Sequence, residues 1–304
     1  MRKNEIELLL EDFLEYLELN LNRAPKTIEN YHHYLDRFLK FSKIKSPQEI
    51  TLKKVKEFRL FLNRLEKDQK NLEKSTQNYH IIALRNFLKY LAKQDIGSLS
   101  AEKLEVGKNP QREMTFLEFE EIQMIIDSAK GNSIKSLRDR AILELLFSAG
   151  LRVSELSSLD IRNINLKTQE FSIIGKGSKM RVVFISDSAK KALEEYLNKR
   201  VDIDPALFIR TNEIGFQKED DLRLTPRSIQ RIVKYYSRKA GIIKDVHPHT
   251  FRHSFATDLL ANGADIRSVQ AMLGHSSITT TQVYTHITNQ KLREVHKKFH
   301  RKSK

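Results

Sequence analysis

The chain has 304 residues, with 54 Lys plus Arg against 39 Asp plus Glu, for a net charge of +15. It holds no Cys, which excludes disulfide frameworks, thiolate nucleophiles and Cys-ligated metal centres. No apolar run reaches the roughly 18–20 residues that span a bilayer, and the first twenty residues alternate acids with Leu instead of forming a signal-peptide core, so the expectation is a cytoplasmic protein with no membrane segment.

The length points to two domains, and the positive balance favours a polyanionic partner, nucleic acid before an anionic membrane. Charge is uneven along the chain. Residues 1–25 carry three basic and six acidic groups, residues 26–110 carry eighteen and ten, and residues 291–304 carry seven basic groups against Glu294. A solvated lysine-rich surface would look similar, so composition alone does not decide the partner.

Residues 1–95 read as a small helical bundle. Ile6, Leu9, Leu10, Phe13, Leu14 and Leu17 recur at helix spacing. Pro25 and Thr27 open a second stretch carrying Ile28, Tyr31, Leu35, Phe38 and Phe41, which Ser46-Pro47 breaks. Leu52, Val55, Phe58 and Leu62 form a third stripe. Ser75 caps a fourth with Tyr79, Ala83, Phe87 and Leu91 inward. Residues 96–113 lose this periodicity and gain Gly, Ser and Pro, which predicts a linker.

A second domain is expected over residues 114–288, mostly helical with one small antiparallel sheet. Its helices are predicted near 122–126 and 137–149, then over 187–199, 225–240, 249–262, 265–273 and from 279 onward. Two β-rich runs, Phe171–Ile174 and Arg181–Ile185, flank GKGSKM and predict a hairpin. Residues 289–304 form a basic tail in which Leu292, Val295 and Phe299 keep helix spacing.

Several polar residues stand out before any family is considered. In HPHTFRH, His249 and Arg252 are three apart and share a helix face. His275 closes LGHS, Tyr284 follows nine residues later, Arg152 opens a helix just after Gly150, and Lys176 lies between two glycines at the hairpin tip. Each has an ordinary explanation. Arg152 with Glu155 fits a helix ion pair, GKGSK fits a tight turn, and Tyr284 alone fits a core residue. His249 and His253 are four apart, but no Asp, Glu or Cys completes a familiar ligand spacing, so no metal is expected.

Taken in order, these segments resemble the tyrosine recombinases of the phage-integrase family, and most closely their Xer-type members. HPHTFRHSFATDLLANGADIRSVQAMLGHSSITTTQVYTH resembles the family's H-x-x-R, L-G-H and Tyr block. AGLRVSEL resembles its first-arginine motif and GKGSKMR its lysine hairpin. KTIENYHHYLDRFLKF and STQNYHIIALRNFLKYL resemble its helical, SAM-like core-binding domain.

The resemblance implies that Tyr284 is the nucleophile, that Arg152 and Arg252 hold the scissile phosphate, and that Lys176 is the general acid toward the leaving 5′-oxygen. It makes His249 an acid/base group and His275 a further phosphate contact. Tyrosine, with a pKa of about 10, needs nearby cations and a base, and two guanidinium forks stabilise phosphoryl charge without a metal or other cofactor.

The implied partner is double-stranded DNA carrying a specific recombination site, held in a clamp of the two domains. Candidate backbone contacts are Lys26, Thr27, Tyr31, Arg85, Lys179, Arg181 and Arg231, with base readout from helices near 76–93 and 225–240. The tail could dock on its own domain, but the resemblance implies docking on a neighbouring subunit in a homo- or hetero-tetramer, with a DNA translocase as a possible activator. The expected role is resolution of chromosome or plasmid dimers. The alternatives are a mobile-element integrase, which the lack of a further N-terminal domain before residue 5 disfavours, a type IB topoisomerase, and a non-catalytic DNA-binding protein, which would not need the six-residue set.

Overall fold

A computed structural model describes residues 4–67, 70–107, 115–174, 180–211 and 222–274. It divides into two compact units, Met1–Arg112 and Glu113–Lys304. Each follows from its own apolar pattern.

The first unit packs α1 (Glu5–Leu19), α2 (Pro25–Ser42), α3 (Leu52–Arg64) and α4 (Lys74–Lys93), with a two-residue hairpin, β1 (Glu66–Lys67) and β2 (Lys70–Asn71), between α3 and α4. Asn4 and Glu7 cap α1 reciprocally, each side chain accepting from the other's backbone N–H at 3.0 Å. Most residues of the predicted stripes meet in one core, but Leu52 and Tyr79 are exposed, and α4 starts at Lys74 with Glu73, not Ser75, at the cap position. Phe13 packs on Phe87 with ring centroids 5.4 Å apart, and Phe38 meets Phe58 edge-on at 5.1 Å. Each such ring contributes about 1.5–3 kcal/mol when buried.

The stretch predicted as a linker is packed as far as residue 107. A 3-10 turn at Ala101–Lys103 buries Ala101 and Leu104 in the bundle core, with Ile96, Leu99 and Val106 against it. Arg59 donates to the carbonyl of Glu105, and Asn78 donates to that of Gly107 at 2.7 Å. The apolar residues of this ribbon had no helical period, so they read as loop although they are core.

His80 is fully buried on α4. Its Nδ1 lies 2.9 Å from the Thr76 carbonyl, which only accepts, so Nδ1 carries the proton. Nε2, 3.3 Å from Arg37 Nη1, is therefore the acceptor for that guanidinium. Desolvation, with Arg37 and His33 nearby, pushes the His80 pKa down to about 4 against a weaker pull from Thr76.

The second unit is built around α6 (Ile134–Ala149), which is buried on most sides, with Ala141 to Leu146 all inside. Against it lie α5 (Phe119–Asp127), α8 (Asp187–Lys199), α9 (Pro226–Lys239) and α10 (Pro248–Ala261). The short α7 (Val153–Ser157) follows α6, and α11 (Ile266–Leu273) follows α10. The predicted hairpin is present as β3 (Glu170–Ile174) and β4 (Met180–Phe184), antiparallel, with Glu170 opposite Phe184 and Ile174 opposite Met180. Phe171, Ile173 and Val183 face the core, while Met180, Val182 and Phe184 are exposed. The helix predicted from 279 onward and the tail 289–304 lie outside the described residues.

A native pKa of about 4 for His80 lies below the unfolded value of about 6.5. The unfolded chain therefore takes up the extra proton, and stability present above pH 6.5 is lost as pH falls toward 4. Urea unfolding followed by circular dichroism at pH 7 and pH 4.5 should show this loss. His80→Gln should remove up to about 3 kcal/mol of the pH-dependent drop.

Candidate active site

The site forms where α6 ends. Gly150 terminates that helix in the left-handed region at φ 56°. A Cβ there would stand 2.5 Å from Cδ1 of Phe255 on α10, so only glycine lets the two helices approach this closely. Two residues later Arg152 caps α7, its backbone N–H donating to Glu155 Oε2 at 2.8 Å and its Nη1 to Glu155 Oε1 at 2.7 Å.

α10 supplies the second arginine. Pro248 starts the helix, and Ser254 pins it to the incoming chain by accepting the Leu117 N–H at 2.8 Å. Arg252, whose side chain is 5% exposed, donates through Nη1 to the Gly150 carbonyl and through Nη2 to that of Leu273. Its Nη1 also lies 3.9 Å from Glu155 Oε2. Arg152 Nη2 reaches the Gly274 carbonyl at 3.4 Å. The ends of α6 and α11 thus hold the two guanidinium groups.

A third arginine completes the cluster. Arg181, from β4, lies on both oxygens of Glu155, Nη1 to Oε1 and Nη2 to Oε2, each at 2.9 Å. Its side chain is 8% exposed. Burial works against the charge on Glu155, but the bonds from Arg181 and Arg152 hold its carboxyl below the usual carboxylate range. Three guanidinium groups around one carboxylate leave a local excess of two positive charges. Arg152 is the one that opens to solvent, at 28% side-chain exposure.

His249 stands at the surface in the first turn of α10, within the field of both Arg252 and Arg152. Desolvation first, and then those two cations, lower its pKa from the ordinary histidine value. It is therefore neutral near pH 7 and able to accept a proton. His253, one turn on, is pushed down to about 4 by burial, His249 and Arg252. Among the described residues no three or more His, Cys, Asp or Glu side chains gather as a metal-binding group.

Of the six residues expected to share one site, the structure brings Arg152, His249 and Arg252 together. Lys176, His275 and Tyr284 lie outside the described residues, as do Lys179, Leu292, Val295 and Phe299. Arg181 departs from its expected place among surface DNA contacts: its fork is turned inward and occupied by Glu155. Lys26 is exposed and paired with Glu29 at 2.6 Å, and Tyr31 accepts a bond from Asn86 at 2.7 Å. Thr27 and Arg85 are half-buried on α2 and α4, and Arg231 is exposed on α9. Glu155 is the residue sequence reasoning undervalued. Its i, i+3 spacing from Arg152 fitted a local ion pair, and nothing in that spacing reveals the two arginines arriving from other elements.

Residues 115–291 match the family described as "Phage integrase family", and residues 10–95 match "Phage integrase, N-terminal SAM-like domain". The chain belongs to the phage integrase family. It is a tyrosine recombinase, an enzyme that cuts and rejoins DNA strands. It is 37% identical over 304 residues to "Tyrosine recombinase XerC" of Natranaerobius thermophilus, covering 95% of this chain and 97% of that one. It is 35% identical over 300 residues to "Tyrosine recombinase XerD" of Oceanobacillus iheyensis, covering 97% and 99%. The fold is shared with a crystal structure of the XerH site-specific recombinase bound to palindromic difH substrate in a post-cleavage complex. That likeness has a TM-score of 0.68 and 24% identity over 94% of this recombinase and 82% of XerH.

Gly150→Ala should destabilise this recombinase by about 2–4 kcal/mol, because it adds left-handed strain and a clash with Phe255. Urea denaturation measures it. Glu155→Gln should slow strand cleavage on the order of 100-fold, because the carboxylate that orients the arginines is lost. Single-turnover cleavage kinetics measure that loss.

Proposed function

We propose that this recombinase performs site-specific exchange between duplexes through a 3′-phosphotyrosyl intermediate formed at Tyr284, in the Xer-type role of resolving chromosome or plasmid dimers in the cytoplasm. One observation carries the reading: Arg152 and Arg252, from different helices, converge on Glu155 beside His249. The arrangement suits a phosphodiester. The two guanidinium groups accept charge on the non-bridging oxygens as it develops in the transition state.

In the proposed step the Tyr284 oxygen attacks phosphorus while the bond to the 5′-oxygen breaks. The phenolic proton passes to His249, and Lys176 protonates the leaving 5′-oxygen. His275 adds a contact to the phosphate. The phosphotyrosyl ester conserves the bond, so a 5′-hydroxyl from another strand reverses the step without ATP.

The partner is double-stranded DNA with a specific site; XerH, which shares the fold, is bound to palindromic difH substrate in its complex. Lys26, Thr27, Tyr31, Arg85, Lys179 and Arg231 are the candidate backbone contacts. Assembly is a homo- or hetero-tetramer, with the tail residues Leu292, Val295 and Phe299 docking on a neighbouring subunit and a DNA translocase as activator. The XerC and XerD relatives support the dimer-resolution role.

The test begins by selecting randomised duplexes for covalent capture by the full chain, which defines a nicked suicide substrate. Tyr284→Phe should abolish the protein–DNA adduct on a denaturing gel, and a persisting adduct would overturn the assignment. Arg152→Ala and Arg252→Ala should each reduce capture by about 100–1,000-fold. Capture should also weaken as pH falls through the lowered pKa of His249, since the protonated ring cannot accept the phenolic proton. A plasmid with two directly repeated copies of the selected site should be resolved to smaller circles.

A further inference from the structure

Arg181 is the second residue of β4, directly opposite Ile173. Alternation along the strand puts Met180, Val182 and Phe184 outward and turns Arg181 to the same side as the buried Val183. A charge on the buried face of a sheet needs a partner, and Glu155 is that partner. The end of α11 closes over the guanidinium: a Cβ at Gly274 would lie 2.9 Å from Arg181 Nη1 and 3.0 Å from its Cδ. The surface cation expected from the sequence is therefore an internal one.

The geometry around Glu155 shows what this achieves. Arg181 spans both carboxylate oxygens, and Arg152 takes only one side-chain bond to them, Nη1 to Oε1. Arg152 Nη2 is left with a long contact of 3.4 Å to the Gly274 carbonyl. Without Arg181, the carboxylate would be free to turn and take both terminal nitrogens of Arg152, the geometry that Arg–carboxylate pairs favour. It would also cancel a larger part of the positive charge of the cluster.

We propose that Arg181 is a positioning residue for strand cleavage: it occupies Glu155, and so leaves the pair of Arg152 and Arg252 more of its positive charge and lets Arg152 Nη2 turn toward the scissile phosphate. This rests on the reading of those two arginines as phosphate ligands. Arg181 also ties the strand that follows Lys176 to the arginine pair, so the sheet and the two helix ends share one carboxylate.

The test uses full-length Arg181→Met and Arg181→Lys with the selected suicide duplex, alone and combined with Glu155→Gln. Arg152→Ala serves as a control. Arg181→Met should slow covalent capture on the order of 100-fold. DNA affinity and its salt dependence should stay as in the parent. Arg181→Lys should recover only part of the rate, because one ammonium cannot bridge both oxygens. In the Glu155→Gln background, Arg181→Met should add at most about threefold, since the charge it compensates is gone.

A fall of about one in the slope of log affinity against log salt, with capture retained, would make Arg181 a backbone contact and overturn the proposal. A full additive loss in the Glu155→Gln background would also overturn it. If Arg181→Met does not fold, Arg181→Lys decides, and a parental capture rate in that variant overturns the proposal. Undiminished capture by Arg152→Ala would instead count against the phosphate reading, so the two failures are distinguishable.

Discussion

One carboxylate organises the catalytic unit. Glu155 meets Arg152 from its own turn, Arg181 from β4 and, at longer range, Arg252 from α10. Guanidinium groups repel one another at short range, and burial raises that cost. A single acid at their centre makes the arrangement tolerable and still leaves a net positive charge. It also ties β4 to the turn that carries Arg152, because an arginine fork has a fixed plane that the carboxylate can satisfy only in certain orientations.

The remaining structure supplies the angles that this cluster needs. α6 runs through the core and stops at a glycine whose missing side chain admits Phe255 of α10. That approach places the Gly150 carbonyl where Arg252 can donate to it, while α11 ends so that the Leu273 and Gly274 carbonyls face Arg252 and Arg152. Helix C-termini leave carbonyls without partners. Here those carbonyls aim the arginines. The same interactions therefore satisfy the helix ends and orient the groups assigned to the phosphate.

Much of this was legible in the sequence. The helices expected over 187–199, 225–240, 249–262 and 265–273 match α8 to α11 within a residue, and in the structure Ser186, Thr225 and Asp265 cap three of them. The β-rich runs around GKGSKM gave the hairpin, because alternation survives in five-residue strands. Arg152, His249 and Arg252 were visible as parts of ordered motifs. Two things were not. The apolar residues of 96–107 have no period, so their burial depends on a bundle surface that only the folded chain provides. The inward turn of Arg181 depends on which face of β4 meets the core, and a basic residue beside a lysine-rich turn carries no mark of that. Glu155 hid for the same reason: local spacing shows one of its arginines, and tertiary packing supplies the rest.

Arg181 and Arg37, one in each unit, are held by opposite electrical means. In the catalytic unit, Arg181 is fixed by an acid and most of its field is cancelled on the spot. In the helical unit, Arg37 donates to the lone pair of an uncharged imidazole whose other nitrogen is committed to the Thr76 carbonyl. A neutral acceptor aims a cation without subtracting from it. Arg37 therefore keeps its full monopole within a segment that already carries eighteen basic groups against ten acidic ones. Direction and charge are separable quantities in side-chain design, and burying a histidine is one way to obtain the first while keeping the second.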